Sequence, residues 1–214
     1  MELDFFGTPL VLSAQKCVFL PAAKTLLIAD LHLGKVAHFR RNAIPLPQQA
    51  QQQDYDNLQR VMNRFEPETL LVLGDLFHSS HNHAWDDLVR FRAANHRIHW
   101  QLVMGNHDIL GREHYLKAGI ECVEPGLELH GLGFFHEPPE QDTYAPLPRI
   151  CGHVHPGAVL RGKGRDRLVL PCFYLKEKLL MLPAFGALTG LYKCRKEKPG
   201  ERLIGISAAG LLDL

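Results

Sequence analysis

Leu70-Leu71-Val72-Leu73-Gly74-Asp75-Leu76-Phe77-His78 is an apolar run that stops at a Gly-Asp pair. A short continuous apolar run reads as a buried strand, and the polar residues after it fall at the strand's carboxyl end. The arrangement recurs twice. Residues 26–29 lead into Asp30-Leu31-His32, and residues 98–104 lead into Gly105-Asn106-His107-Asp108. In α/β sheets ligands gather along that edge, so residues distant in sequence are expected to meet there.

Helical spacing fills the gaps between these runs. Leu58, Val61, Met62 and Phe65 recur within 47–65, and Trp85, Leu88, Val89 and Arg92 within 84–95. A short third helix is expected at 112–118, and further strands at 133–135, 168–170 and 179–182. The first half therefore alternates strand and helix. The second half is richer in strands and in turns such as Pro138–Pro139, Gly162–Gly164 and Pro199–Gly200. That pattern predicts an α/β sandwich, with sheets packed face to face and helices outside. No linker or internal repeat interrupts it, so residues 1–214 are expected to form a single domain. The QQAQQQ stretch at 48–53 reads as a solvated helix face. Residues 182–186 read as a strand leading into a glycine turn under the core.

The chain has 214 residues, 46% hydrophobic and 22% charged, which suits a globular domain with a well-buried core. A net charge of +1 demands neither a polyanion nor a membrane, although a local patch can still bind one. Five cysteines without a CxxC pair argue against a disulfide framework or a thiolate zinc site. The amino terminus, MELDFFGTPLVLS, has no basic segment and does not read as a secretory signal. No apolar run is long enough to span a bilayer. These features together predict a reduced, cytoplasmic protein.

Thirteen histidines are more than packing needs, and histidine is the commonest metal ligand. His38, His96, His99, His114 and His130 match no motif and read as surface residues. The others cluster in short motifs. Asp30, His32 and His155 are expected to hold one metal ion. Asn106, His136 and His153 are expected to hold a second, with Asp75 shared between them. Carboxylate, imidazole and amide donors suit Mn, Fe, Zn or Ni better than Ca or Mg. Two such ions point to phosphoester hydrolysis. His107 follows a ligand without being needed as one, and is the candidate general acid. His78, three residues after Asp75, is placed to contact phosphate or to orient His107. Lys35, Arg40 and Arg41 follow the first motif and are candidate phosphate contacts. The basic runs at 161–167 and 193–198 read as solvated turn and tail charges, or as a nucleic-acid track. Gly34–Lys35 is no phosphate-binding P-loop, because position 29 is Ala and position 36 is Val.

The ordered set DLH (30–32), GD (74–75), GNHD (105–108), His136 and GHVH (152–155) resembles the calcineurin-like metallophosphoesterases. The resemblance implies a four-layer α/β/β/α sandwich of two mixed sheets and a dinuclear centre with the ligands above. Where Ser/Thr protein phosphatases carry GDxxDRG, this chain has GDLFHSS. DLHLG and GDLFH look instead like the double-strand-break repair nucleases, in which the GDLFH and GNHD histidines assist catalysis. That supports roles for His78 and His107. With FHEP, GHVHP and LPAFGALTG (182–190) added, nearly the whole chain is similar to the bacterial ligase-associated DNA-damage-response metallophosphoesterases. This similarity implies manganese, a DNA phosphodiester substrate, and association with an ATP-dependent DNA ligase and a helicase. One departure is that the superfamily's usual GH pair at the fourth motif is Phe135–His136 here. A nucleotide or lipid-precursor phosphoesterase is the alternative reading. A non-catalytic scaffold of the same fold is a more distant one, since a scaffold needs neither the full ligand set nor His107.

Overall fold

Three strands come before the first α/β unit. β1 (Glu2–Phe5), β2 (Thr8–Ser13) and β3 (Cys17–Leu20) form an antiparallel meander that continues into β4 (Thr25–Ile28). The sequence reading passes over the meander. In β1 Leu3 and Phe5 point inward while Glu2 and Asp4 point out, so no continuous run forms there, whereas Leu10–Leu12 of β2 and Cys17–Leu20 of β3 are short apolar stretches. In this computed structural model, residues 1–35, 49–78, 83–139, 147–162 and 167–214 are described.

From β4 onward the sheet is parallel. β5 (Thr69–Leu73), β6 (His99–Val103) and β7 (Ile120–Val123) follow side by side, completing a seven-stranded sheet in chain order. Helix α1 (Gln49–Phe65) precedes β5, α2 (His83–Ala94) lies between β5 and β6, and α3 (Arg112–Lys117) between β6 and β7. These three helices match the periodic stretches to within two residues.

The second sheet holds nine strands. In chain order they are β8 (Gly126–Leu129), β9 (Leu132–Phe135), β10 (Arg149–Cys151), β11 (Pro156–Arg161), β12 (Arg167–Lys176), β13 (Leu179–Met181), β14 (Tyr192–Cys194), β15 (Arg202–Ser207) and β16 (Gly210–Asp213). Their spatial order is β14-β11-β12-β13-β10-β9-β8, with β15 beside β12 and β16 beside β15. The expected strand at 168–170 is only the start of β12, which continues through Pro171. Residues 167–171 pair with β11 alone, and a strand with one neighbour tolerates proline.

Both faces of the parallel strands are buried, as crossover helices require. On the outer face Leu26, Ile28, Leu70, Val72 and Leu102 pack against Leu58, Val61, Trp85, Leu88 and Tyr115 of the helices. On the inner face Leu27, Leu71, Leu73 and Val103 meet Phe134, Ile150, Phe173, Leu180 and Ile204 of the second sheet. This is the expected α/β sandwich of two mixed sheets. A third cluster joins Phe135, Cys151, Tyr174 and Met181 to Ala158 of β11 and Cys194 of β14. Among the described residues, no helix contributes to that third cluster.

Residues 182–186 correct the strand expected there. The segment is irregular and bridges the two sheets: Leu182 N–H donates to Cys151 O at 2.8 Å and Phe185 N–H to Ala29 O at 2.8 Å. The Phe185 ring is fully buried in the helix-side core. Phe185→Ala should therefore cost about 3–5 kcal/mol in urea unfolding, as for other buried aromatic truncations. An unchanged midpoint would mean that the bridge carries no stability.

Candidate metal centre

Five loops meet where strands of both sheets end. The Asp30, Asp75 and Asn106 loops leave β4, β5 and β6, and the His136 and Gly152–His155 loops leave β9 and β10. Backbone bonds lace them together. His32 N–H donates to Asp75 O at 2.8 Å, and Leu33 N–H to Leu76 O at 3.0 Å. In the second sheet Gly152 N–H donates to His136 O at 2.9 Å. Gly186 N–H, from the bridging segment, reaches Asp30 O at 3.2 Å.

The turns are tight. Asp30, His32, Asp75, His153 and His155 all have left-handed backbones, with φ of 54°, 51°, 52°, 64° and 51°. Each such conformation costs a non-glycine residue about 1–3 kcal/mol, and such strain clusters at functional sites. Gly74, at φ 77°, shows why the second loop needs glycine: a Cβ there would lie 2.0 Å from His136 Nδ1.

The side chains converge in two groups. Asp30, His32 and His155 form one, and Asp75, His136 and His153 the other, with one donor atom from each within 4.8 Å of its companions. Asn106 joins the second group, its Oδ1 3.0 Å from His136 Nε2. Asp75 lies between the groups: its Oδ2 is 3.6 Å from His32 Nε2, and its Oδ1 is 3.5 Å from His136 Nε2.

The donor set fits cations. Asp30 and Asp75 are 0% and 2% exposed, yet among the described residues no lysine or arginine lies within ion-pair distance of either. Buried carboxylates without a counter-ion are expensive. Both nitrogens of His32, and Nε2 of His155, are buried without a hydrogen-bond partner. Burial, then the neighbouring Lys35 charge, pushes the His32 imidazole down to about 2, so its ring is neutral with a free lone pair. His136 Nδ1–H donates to Leu73 O at 3.0 Å. In the ring's neutral form Nε2 then offers a lone pair among Asn106 Oδ1, His153 Nδ1 and Asp75 Oδ1, the arrangement of a ligand histidine whose other ring nitrogen is anchored on a backbone carbonyl.

The other expected residues lie around this cluster. The His107 and His78 rings are 4.2 Å apart between centroids, and both flank the His32 ring. His107 N–H donates to Asp75 Oδ1 at 2.9 Å. Lys35 is close enough for Asp75 and Asp30 to stabilise its charge, although burial is the larger effect and lowers its pKa. Arg40 and Arg41 lie outside the described residues.

Three contributors escaped the sequence reading. Asp108, the last letter of GNHD, is buried and accepts hydrogen bonds from Gly105 N–H, Phe77 N–H and Tyr115 O–H at 2.9, 3.0 and 3.1 Å. It thereby ties the third loop to the second. Glu137, in FHEP, has Oε1 3.8 Å from His153 Nδ1. Asp54 lies in α1, directly after the stretch at 48–53 that reads as a solvated face. It is buried, and accepts from Ala187 N–H at 2.9 Å, next to the residue that holds Asp30. Burial pushes its carboxyl up to about 6.

Gly74→Ala should displace His136 and lower bound metal, read by elemental analysis of dialysed protein. Chelation should lower the melting temperature of the wild-type protein, because a ligand of the folded state stabilises it. Full metal content in the glycine variant, or a melting temperature indifferent to chelator, would contradict the site.

Solved structures align with this chain to different degrees. The Pseudomonas putida nuclease MPE matches with a TM-score of 0.85 and 28% identity, over 100% of this chain and 99% of that one. The Escherichia coli phosphoesterase Yfce aligns with 84% of this chain and 87% of its own, at 15% identity and a TM-score of 0.41. A comparison with curated proteins gives no significant match. The family model for calcineurin-like phosphoesterases matches residues 23–177, which span the loops of the metal cluster. The chain therefore belongs to the calcineurin-like phosphoesterase family, the metal-dependent phosphoesterases.

Proposed function

We propose that this phosphoesterase is a dinuclear phosphodiesterase acting on DNA, with manganese as its metal. The observation that carries this reading is the pair of donor clusters sharing Asp75. Asp30, His32 and His155 would hold one ion, Asn106, His136 and His153 the other, and Asp75 both. Two divalent ions there supply Lewis acidity, acidifying a water and neutralising phosphoryl charge. The mixed carboxylate, amide and imidazole donors suit manganese, iron, zinc or nickel alike, and the motif resemblance favours manganese among them.

The chain's own groups do the rest. His107, anchored by its backbone N–H on Asp75, donates a proton to the leaving oxygen. His78, beside it, orients that ring or contacts phosphate. Lys35 offers a positive charge to the phosphoryl oxygens. The similarity to the Pseudomonas putida nuclease supports a nucleic-acid substrate. The motif resemblance supports a role in DNA repair beside an ATP-dependent ligase and a helicase, while composition supports a cytoplasmic location and the unbroken sequence pattern a single domain. No described helix is long and apolar enough to cross a membrane.

The test is hydrolysis of an activated phosphate diester against the matching monoester, by metal-stripped protein reloaded with Mn²⁺. A strong diester preference is expected. A monoester preference would overturn the phosphodiesterase reading and favour a small phosphorylated metabolite. His107→Ala should retain its metal while turnover falls about 10²–10⁴-fold. The loss should be greatest with poor leaving groups, and equal loss for all leaving groups would remove His107 as the proton donor.

A further inference from the structure

Strands β11, β12 and β14 carry an arrangement of charge that the metal centre does not use. In the antiparallel β11–β12 ladder Arg161 stands directly opposite Arg167, and Val159 opposite Val169. In the parallel β11–β14 ladder Lys193 stands opposite Gly157. Residues at even spacing share a face of a strand. Arg161, Arg167 and Lys193 therefore lie on one face of this ribbon, and Arg195, just past β14, continues it. All four are exposed.

Like charges directly opposite each other destabilise a sheet. Among the described residues, acids of the second sheet and its turns pair with other cations. Glu197 is held by Lys176, Glu177 by Lys198 and Asp213 by Arg202. Among the described residues, none of the four cations forms an ion pair with a carboxylate. Lysine on an edge strand can serve simply to block strand pairing, which would account for Lys193. It does not account for two arginines placed face to face. Nor does overall basicity, since the chain's net charge is only +1.

The ribbon starts at the metal cluster. Pro156 follows His155, and Tyr192 N–H donates to His155 O at 2.9 Å. From Pro156 to Arg161 the strand runs about 17 Å at about 3.3 Å per residue. That is the length of a run of phosphates, not of one mononucleotide.

We infer that this face of β11, β12 and β14 binds the phosphate backbone of a single DNA strand and leads it to the metal cluster. The inference rests on the DNA reading above and names the surface that would serve it. Of the two basic runs noted in the sequence, Arg161 and Arg167 end one and Lys193 and Arg195 begin the other. Residues 163–166 lie outside the described residues.

The experiment compares manganese-loaded wild type with the variant Arg161→Ala/Arg167→Ala/Lys193→Ala/Arg195→Ala. The probe is a fluorescein-labelled single-stranded DNA with a phosphorothioate backbone, read by anisotropy across a salt series. The dissociation constant of the variant should rise at least about tenfold, and its salt dependence should flatten by about 0.7 for each phosphate no longer neutralised. Its hydrolysis of the small activated diester should stay at the wild-type rate, and lysine at the three arginine positions should restore binding. Suppose instead that wild type binds and cleaves DNA and the alanine variant does so equally well. The surface is then wrong and the DNA reading stands. If wild type turns over the small diester but neither binds nor cleaves DNA, the DNA reading falls, and the surface with it.

Discussion

Asp30 and Asp75 are buried carboxylates with no described lysine or arginine in ion-pair contact, and the rest of the site follows from that. Such charges are tolerated only if something positive compensates them. Their close neighbours are imidazoles, and at least one of these, His32, is held neutral by its surroundings. Cations resolve the conflict. They satisfy the carboxylates and the orphan nitrogens of His32 and His155, and they suit His136, whose Nε2 faces Asn106 and Asp75 while Nδ1 is anchored on Leu73.

The fold is arranged to hold this unfavourable cluster in place. Parallel strands buried on both faces leave their carboxyl ends as rigid platforms. Five ligand residues sit in left-handed conformations that an isolated chain would avoid. They are held there by backbone bonds between loops, and by the bridging segment that joins Ala29 and Asp30 to Phe185 and Gly186. Asp108 and Asp54 brace the same loops from behind. Strain at the site is thus balanced by packing and hydrogen bonding in the layer beneath it.

Much of this could be read from the sequence, for a definite reason. Asp30, Asp75 and Asn106 follow continuous apolar runs, so the strand and the ligand beyond it are visible in the same few residues. The helices carry clear periodicity. What stayed hidden depends on tertiary contacts. The left-handed backbone of His32 or Asp75 has no clear local signature, since Asp and His, though enriched there among non-glycine residues, adopt it in only a small minority of cases. Asp54 directly follows a run of glutamines, and its contact with Ala187 joins residues far apart in the sequence. Strands β1 to β3 are four to six residues each, too short for their pattern to stand out, and residues 182–186 are irregular and do not pair in a sheet. Pro171 hid the length of β12, because whether a proline breaks a strand depends on how many neighbours the strand has there.

The central claim is a pair of metal ions sharing Asp75. Electron paramagnetic resonance of protein loaded with Mn²⁺ to saturation, with the metal counted by elemental analysis, tests it most directly. Two manganese ions per chain with an exchange-coupled spectrum are expected. One ion per chain, or two whose spectrum is that of isolated Mn²⁺, would contradict a carboxylate shared between them.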